Sequence, residues 1–518
     1  MKAYAAQEPK GAAVQKHAMT TLITQTAPIA NNTHGGRAKC LQRLVRLDLP
    51  VPRTVALPFD TVLDIARGQT PDIQKIADEF PHDALLCVRP SSQDPDWGGP
   101  GAVVNIGMND ARYEFYCAQM GEGPASALYT RFVQSYAVNI ARLDPDMFDD
   151  VVGDGCEALE ASLRAYALET EESFPQDRVT QLTAVLSSMA RAWEGTSARL
   201  LRQAKGAPAD AGLGLVVQQM VFGVGTGLCG SGVLQLVDST TGLPQITGRY
   251  LSQSQGRDAL QNDADAMFLT RDPRGPSLEE HAPEAFETLT QHAALMRQRL
   301  RAEMQLEFVI SDGELFILDG VRVARSSRAA VRIAVALADE GIISREEALM
   351  RVQPRTLTEL LHRQVDPRAK RDVIGRGIAA SPGAATGKIV FNANDAQASA
   401  ARGEKCILVR RETSPEDIRG MHAAQAVLTE RGGITSHAAV IGRGMGLPCV
   451  VGASSMRFDL VKGQITATDG RVFKAGDEIT LDGTQGEVLC GAPDTLEPLL
   501  DATFQKLMDW AEQTADIG

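Results

Sequence analysis

The stretch RGGITSHAAVIGRGMGLPCVVG, residues 431–452, leaves the chain little conformational choice. Gly432-Gly433 permits a tight backbone turn that side-chain-bearing residues resist. Thr435 and Ser436 are N-cap residue types, accepting hydrogen bonds from amides that a first helical turn leaves free. A short helical run follows from Ala438, and the apolar residues 449–451 read as a buried strand. His437 therefore lies where a helix presents unpaired N–H groups and the positive end of its dipole, which favours anions. An imidazole there has two readings. It is a capping or packing histidine, or it is a nucleophile that accepts a phosphoryl group whose new charge the helix start holds.

The string as a whole favours the second reading. Gly432-Gly433-Ile434-Thr435-Ser436-His437-Ala438-Ala439, followed by Arg443-Gly444-Met445-Gly446-Leu447-Pro448-Cys449-Val450, resembles the phosphohistidine segment of the pyruvate, phosphate dikinase family of phosphoenolpyruvate (PEP)-utilising enzymes. The resemblance implies that His437 is the phosphorylated residue. Gly432, Gly433, Thr435 and Ser436 would then lie beside the phosphate.

A chain of 518 residues is too long for one core, so several domains are expected. Hydrophobic content of 44% and charged content of 23% suit an ordinary soluble protein. With 65 acidic against 52 basic residues, binding the phosphate backbone of nucleic acid is not its main task. The eight cysteines are scattered without a C-x-x-C pair, which argues for reduced thiols and a cytoplasmic location. No run of eighteen apolar residues suggests a membrane span, and the first residues do not read as a signal peptide.

Residues 1–30 show no clear period and read as a peripheral N-terminal extension. From Asn31, a Gly-Gly turn leads into a helix with Leu41, Leu44 and Leu47 on one side, and the Leu-Pro-Val-Pro run ends it before a strand. The dikinase family has a phosphate-binding lysine in the matching segment. Arg37 stands in its place here, keeping the charge but presenting a planar fork. Residues 84–110 read as strand, glycine-rich loop and strand, and Arg89 matches the family arginine that reaches the transferring phosphoryl group. The loop Gln93–Gly101, with Trp97, would be the lid over the phosphates or an ordinary exposed loop.

Residues 110–205 read as helical scaffold, with Leu182, Val185, Leu186 and Met189 on one helix face. Strands return at Leu215. Where the family carries two acidic residues, this chain has Arg249 and Arg257, which would contact phosphate or close the site with new ion pairs.

QLEFVISDGELFILDG, residues 305–320, predicts a β-hairpin turning at Asp312-Gly313. A two-residue loop would put Glu307 and Asp319 on opposite faces, whereas a three-residue loop with a glycine bulge would put them side by side. In the ATP-grasp fold that the resemblance implies, such a hairpin supplies oxygens that hold magnesium between phosphates. Glu307 and Asp319 are then the nucleotide and metal ligands, with Gln305 beside them, and Mg²⁺ and ATP are the expected cofactor and substrate. A family arginine two residues after Asp319 is lost unless Arg322 replaces it through a register shift.

The fold expected is α/β and α+β multidomain. An ATP-grasp nucleotide domain spans 31–361, a linker 362–374, a β/β/α swivelling phosphohistidine domain 375–491, and a C-terminal helix 492–518. Ser414-Pro415-Glu416-Asp417 is a helix start within the swivel domain, and His422 reads as a partly buried helix-end histidine. The barrel that binds PEP and pyruvate in the full dikinase has no counterpart in these residues.

The resemblance implies that MgATP phosphorylates His437 and that a separate acceptor protein or small molecule takes the phosphoryl group. Neither nucleic acid nor membrane is an expected partner, and the sequence leaves the oligomeric state open, with a homodimer among the options. Two other readings remain: a degenerate, nucleotide-sensing or partner-binding relative, and a phosphocarrier charged by another enzyme.

Overall fold

The computed structural model describes residues 20–148, 151, 155–254, 266–353, 356–357, 360–498 and 501–515. Arg257 lies outside them. The chain is a mixed α/β protein of two compact units. The first comprises residues up to Leu236 plus Gln245–Val323, and the second Val237–Pro244 plus residues from Ala324 onward.

In the first unit the strands are β1 (Thr21–Leu22), β2 (Thr54–Leu57), β3 (Leu86–Ser92), β4 (Val103–Ile106), β5 (Leu213–Gln219), β6 (Gly230–Val237), β7 (Pro244–Ser252), β8 (Met304–Ser311) and β9 (Glu314–Arg322). They form a five-stranded sheet, β1-β2-β5-β3-β4, and a four-stranded sheet, β7-β6-β8-β9. Residues 20–30 are more than a peripheral extension. β1 pairs with β2, and Ile23, Ala27 and Ile29 are buried, because their apolar side chains complete the core under the helix Asn31–Arg46.

That helix buries Ala38, Leu41 and Leu44 against Leu306, Phe308 and Ile317 of the second sheet. A buried leucine of this kind contributes about 1.5–3 kcal/mol. Tyr250 of β7 stacks on Phe308 with ring centroids 6.2 Å apart, so the neighbouring Arg249 faces the other side of the sheet. The predicted face of the helix Arg178–Glu194 is buried, with Leu182, Val185, Leu186 and Met189 in the core beside Trp193.

The second unit contains β10 (Gln364–Val365), β11 (Val373–Arg376), β12 (Ile378–Ser381), β13 (Ala384–Val390), β14 (Cys406–Arg410), β15 (Ala426–Thr429), β16 (Cys449–Val451), β17 (Arg457–Asp459), β18 (Gln464–Thr466), β19 (Val472–Lys474), β20 (Glu478–Asp482), β21 (Glu487–Cys490) and β22 (Thr495–Leu496). Eight of them form one sheet, β11-β21-β20-β13-β14-β15-β16-β12. Its centre, β13 to β16, is parallel, with successive helices in the crossovers. Both faces of these strands must be covered, which explains their unbroken apolar runs. Met421, Ala438 and Ala439 cover one face, and Phe458, Ile465 and Phe473 from the three-stranded sheet β17-β18-β19 cover the other.

The division between the units falls at Val323/Ala324, whereas the sequence places it at residue 361. The helices Ser327–Asp339 and Arg345–Arg351 group with the C-terminal helix Ala502–Ala515. Arg332 pairs with Asp501 at 2.6 Å, Lys506 with Asp339 at 2.6 Å, and Phe504, Leu507 and Trp510 are buried. The expected linker 362–374 is also structured, because β10 pairs with β22 and β11 opens the large sheet.

Candidate functional site

Two sets of candidate residues come together, one within each unit. In the first unit the hairpin β8–β9 turns on Asp312 (φ 51°) and Gly313 (φ 86°), with Ser311 opposite Glu314. This is a two-residue loop whose positive φ values match a type I′ turn. Continued regularly, the ladder would bury Asp319 on the core face. It does not continue regularly: Phe308 faces Ile317, Glu307 faces Asp319, and Leu318 is the extra residue of a β-bulge. The bulge brings the two carboxylates side by side although the loop has two residues. The same register puts Val321 opposite Gln305 and Arg322 opposite Met304, so Arg322 stays exposed off the face that carries Glu307.

Two arginines reach that face from elsewhere. Arg89 lies on β3, and its Nη1 is 3.1 Å from Glu307 Oε2 and 3.7 Å from Asp319 Oδ2. Arg37 Nε donates to Asp319 Oδ2 at 2.7 Å, and its Nη1 donates to the Pro90 carbonyl. Asp319 is 2% exposed, and its Oδ1 accepts from the Gly320 amide at 2.9 Å. Burial alone would raise its pKa, but the Arg37 and Arg89 charges outweigh that and hold the carboxyl below the usual aspartate range. Burial weakens the charge on Arg89 too, and the adjacent Cys87, Glu307 and Asp319 more than offset it.

Arg37 is placed by a break in its helix. Gly35 has φ 83° and ψ 172°, and the helix resumes behind it. Ser91 clamps this break to β3: its hydroxyl donates to the His34 carbonyl at 2.7 Å and accepts from the Ala38 amide at 3.0 Å. Cys40, one turn on, donates its thiol to the Gly320 carbonyl at 3.0 Å, and burial followed by the Asp319 charge pushes its pKa up to about 12.

Among the described residues, no three His, Cys, Asp or Glu side chains converge as an all-protein metal site would require. The oxygen-rich pair still suits magnesium, which takes few protein ligands and completes its shell from phosphate and water. A buried oxygen, Gln235 Oε1, has no partner among the described residues; its amide nitrogen donates to Gln305 at 2.8 Å. Arg249, opposite in face to Tyr250, stacks its guanidinium 4.4 Å over Phe268.

In the second unit His437 opens the helix His437–Met445, which follows β15. Gly432 has φ 112°, and Arg431 donates its amide to the Arg411 carbonyl, so the loop lies against the chain leaving β14. These loops share the carboxyl edge of the parallel strands, where α/β sheets place their ligands. There Thr413 Oγ1 is 3.2 Å from His437 Nδ1. Thr413 is buried, and no local pattern pointed to it, since 24 residues separate the two. Ser436 is the N-cap by position, but its side chain makes no capping bond. Its hydroxyl is buried without a partner among the described residues. Thr435 is exposed, and so is His422, at the end of its own helix, where partial burial was expected.

The chain's sequence matches known proteins. A family model described as the mobile domain of PEP-utilising enzymes matches residues 402–486, which include Thr413 and His437. The matched residues run from β14 to β20 of the second unit. The chain is 35% identical to pyruvate, phosphate dikinase of Rhizobium meliloti (strain 1021), over 92% of this chain and 58% of that protein. It is 32% identical to the enzyme of Clostridium symbiosum, over 93% and 59%, and 33% identical to the chloroplastic enzyme 1 of Oryza sativa subsp. japonica, over 84% and 47%. The chain belongs to the pyruvate, phosphate dikinase family of PEP-utilising enzymes. It spans about half the length of these curated relatives. The structure of Cdc123 from Schizosaccharomyces pombe overlaps 55% of this chain and 82% of that one at 9% identity and a TM-score of 0.21, too slight a likeness to bear on the fold. Among the described residues, no helix is long and apolar enough to cross a membrane.

Proposed function

We propose that this chain is a dikinase-type phosphotransferase. Its first unit is an ATP-grasp site for MgATP, and its second is a swivelling domain that carries His437. The reading rests on one observation above the others: His437 Nδ1 faces a buried threonine hydroxyl, at a helix start whose own N-cap side chain makes no capping bond. Thr413 Oγ1 would accept a hydrogen bond from the protonated Nδ1 and so fix the tautomer. The Nε2 lone pair is then left to attack phosphorus, and the bond from phosphorus to the leaving nucleotide oxygen breaks. The uncapped amides and the Ser436 hydroxyl would receive the phosphoryl oxygens.

In the first unit Arg37 and Arg89 would take the nucleotide phosphates, and Glu307 and Asp319 would hold Mg²⁺. Bound there, the metal would neutralise phosphate charge. A separate acceptor protein or small molecule would then take the phosphoryl group from His437. A homodimer and a cytoplasmic location belong to the same proposal.

The test is incubation with Mg²⁺ and ATP labelled separately at the β and γ phosphates, using wild type and His437→Ala. Acid-labile, base-stable label on wild type only is the expected result. No label at millimolar nucleotide would overturn the transfer. It would favour the second reading, a nucleotide-sensing relative without turnover, for which the mutual pairing of Arg37 with Asp319 and of Arg89 with Glu307 speaks.

A further inference from the structure

Arg37, Arg89, Glu307 and Asp319 carry two positive and two negative charges within hydrogen-bonding or ion-pair distance of one another. They come from the two sheets and the first long helix, so their meeting is a property of the fold. Both Asp319 oxygens are engaged, Oδ2 by Arg37 and Oδ1 by the Gly320 amide, and the residue is almost wholly out of water. A cation that takes Asp319 Oδ2 must displace Arg37 Nε from it. A phosphate that takes Arg37 leaves the buried Asp319 carboxylate only the Gly320 amide and Arg89, which is 3.7 Å away and already paired with Glu307, and that is unfavourable.

Resting on the nucleotide reading of this cleft, we propose that the four side chains form an exchange latch. A divalent cation and a nucleotide polyphosphate each bind well only when the other is present. When both arrive, the arginines move from carboxylate to phosphate oxygens while the carboxylates move from guanidinium to cation. Every charge is then paired before and after. Either ligand alone leaves two like charges facing: cation against arginines, or phosphate against carboxylates. The coupling is reciprocal, because linkage requires each ligand to raise the other's affinity by the same factor.

The latch is tested by calorimetric titration of the full chain, without turnover as a readout. Wild type is titrated with Mg²⁺ alone, with ATP in chelator, and with ATP at saturating Mg²⁺. ATP is expected to bind at least about tenfold more tightly with Mg²⁺ than without, within the usual range for coupled sites. Arg37→Met should gain Mg²⁺ binding in the absence of nucleotide, because Asp319 is released. Asp319→Asn should bind metal-free ATP more tightly than wild type, because Arg37 is released. Arg37→Lys keeps the charge without the fork and should fall between wild type and Arg37→Met, which keeps the test open if the methionine variant misfolds. Equal ATP affinity with and without Mg²⁺ in wild type overturns the latch and leaves the nucleotide site standing. So does an Arg37→Met or Arg37→Lys protein that folds and gains no Mg²⁺ binding. No ATP binding under either condition overturns the nucleotide reading, and the latch with it.

Discussion

Replacing Gly35 by alanine should unseat the Arg37 loop, while the same change at Gly36 should be silent. At Gly35 an added Cβ would lie 1.8 Å from the Ser91 carbonyl oxygen and 2.4 Å from its carbon, both backbone atoms of β3, which pairs with β5 there. The backbone itself, at φ 83° and ψ 172°, belongs to a region that glycine alone occupies without strain. Such a conformation costs an ordinary residue about 1–3 kcal/mol. Forcing atoms into a packed site adds about 1–3 kcal/mol more. The sum, about 2–6 kcal/mol, is a large part of the ~5–15 kcal/mol that holds a typical protein folded. At Gly36 the atoms nearest to an added Cβ are 3.5 Å away, in ordinary contact. There the loss of unfolded-state freedom would offset any crowding, with a gain of about 0.4–1 kcal/mol at most. Differential scanning calorimetry should show the Gly35→Ala midpoint lowered by on the order of 10 °C, with Gly36→Ala within ~2 °C of wild type. Titration should show nucleotide affinity lost in the first variant only, because Arg37 is no longer placed to take the phosphates. Equal midpoints for the two variants would refute the reasoning.

Thr413→Val keeps shape and removes the hydroxyl, so it should slow His437 labelling about tenfold, the equivalent of one hydrogen bond of ~1.4 kcal/mol, with ATP affinity unchanged in titration. Burial, and then the Lys39 charge, lower the pKa of His34 below 6.5, so it stays neutral in the fold while the unfolded chain takes a proton. Its contribution is therefore complete above pH 6.5 and is lost as pH falls below that value. The denaturant midpoint should drop between pH 7 and pH 5, and His34→Asn should reduce the slope, with half-buried His292 supplying a remainder of the same sign. Thiol mapping by mass spectrometry should find Cys117, Cys156 and Cys490 alkylated first in the native protein. Cys40 and Cys449, whose pKa values burial pushes up to about 12, should react only on unfolding.

Local patterns carried most of the fold. The apolar face of Arg178–Glu194, the Asp312-Gly313 turn, the start at Ser414 with its reciprocal bonds to Asp417, and the turn–helix–strand order around His437 are all short-range features, and the structure contains each of them. What a pattern of neighbours cannot carry is allegiance between distant elements. The helix Ser327–Asp339 is amphipathic in sequence, but nothing in it says that its face meets the helix Ala502–Ala515 rather than the strands just before it. Residues 20–30 lack periodicity because they pack as an irregular segment, with Ile23, Ala27 and Ile29 buried one by one.

The candidate sites divide along the same line. Arg37, Arg89, Glu307 and Asp319 were legible as residue types, but their pairing was not, because it depends on a single extra residue. With a two-residue turn and no bulge, alternation alone would turn Asp319 away from Glu307 and into the core, where an unpaired carboxylate is costly. Leu318 absorbs the mismatch, and nothing in ELFILDG marks it as the residue that steps out of register. The carboxylate pair is thus a consequence of backbone geometry, which the arginines then stabilise from other elements. His437 shows the converse. Its glycine turn and helix start were readable, yet its hydrogen-bond partner Thr413 comes from the neighbouring crossover, and only the parallel order of β14 and β15 sets the two on one edge. In both places the chemistry is written in single residues, whereas the contact that would activate it is written in strand register and strand order.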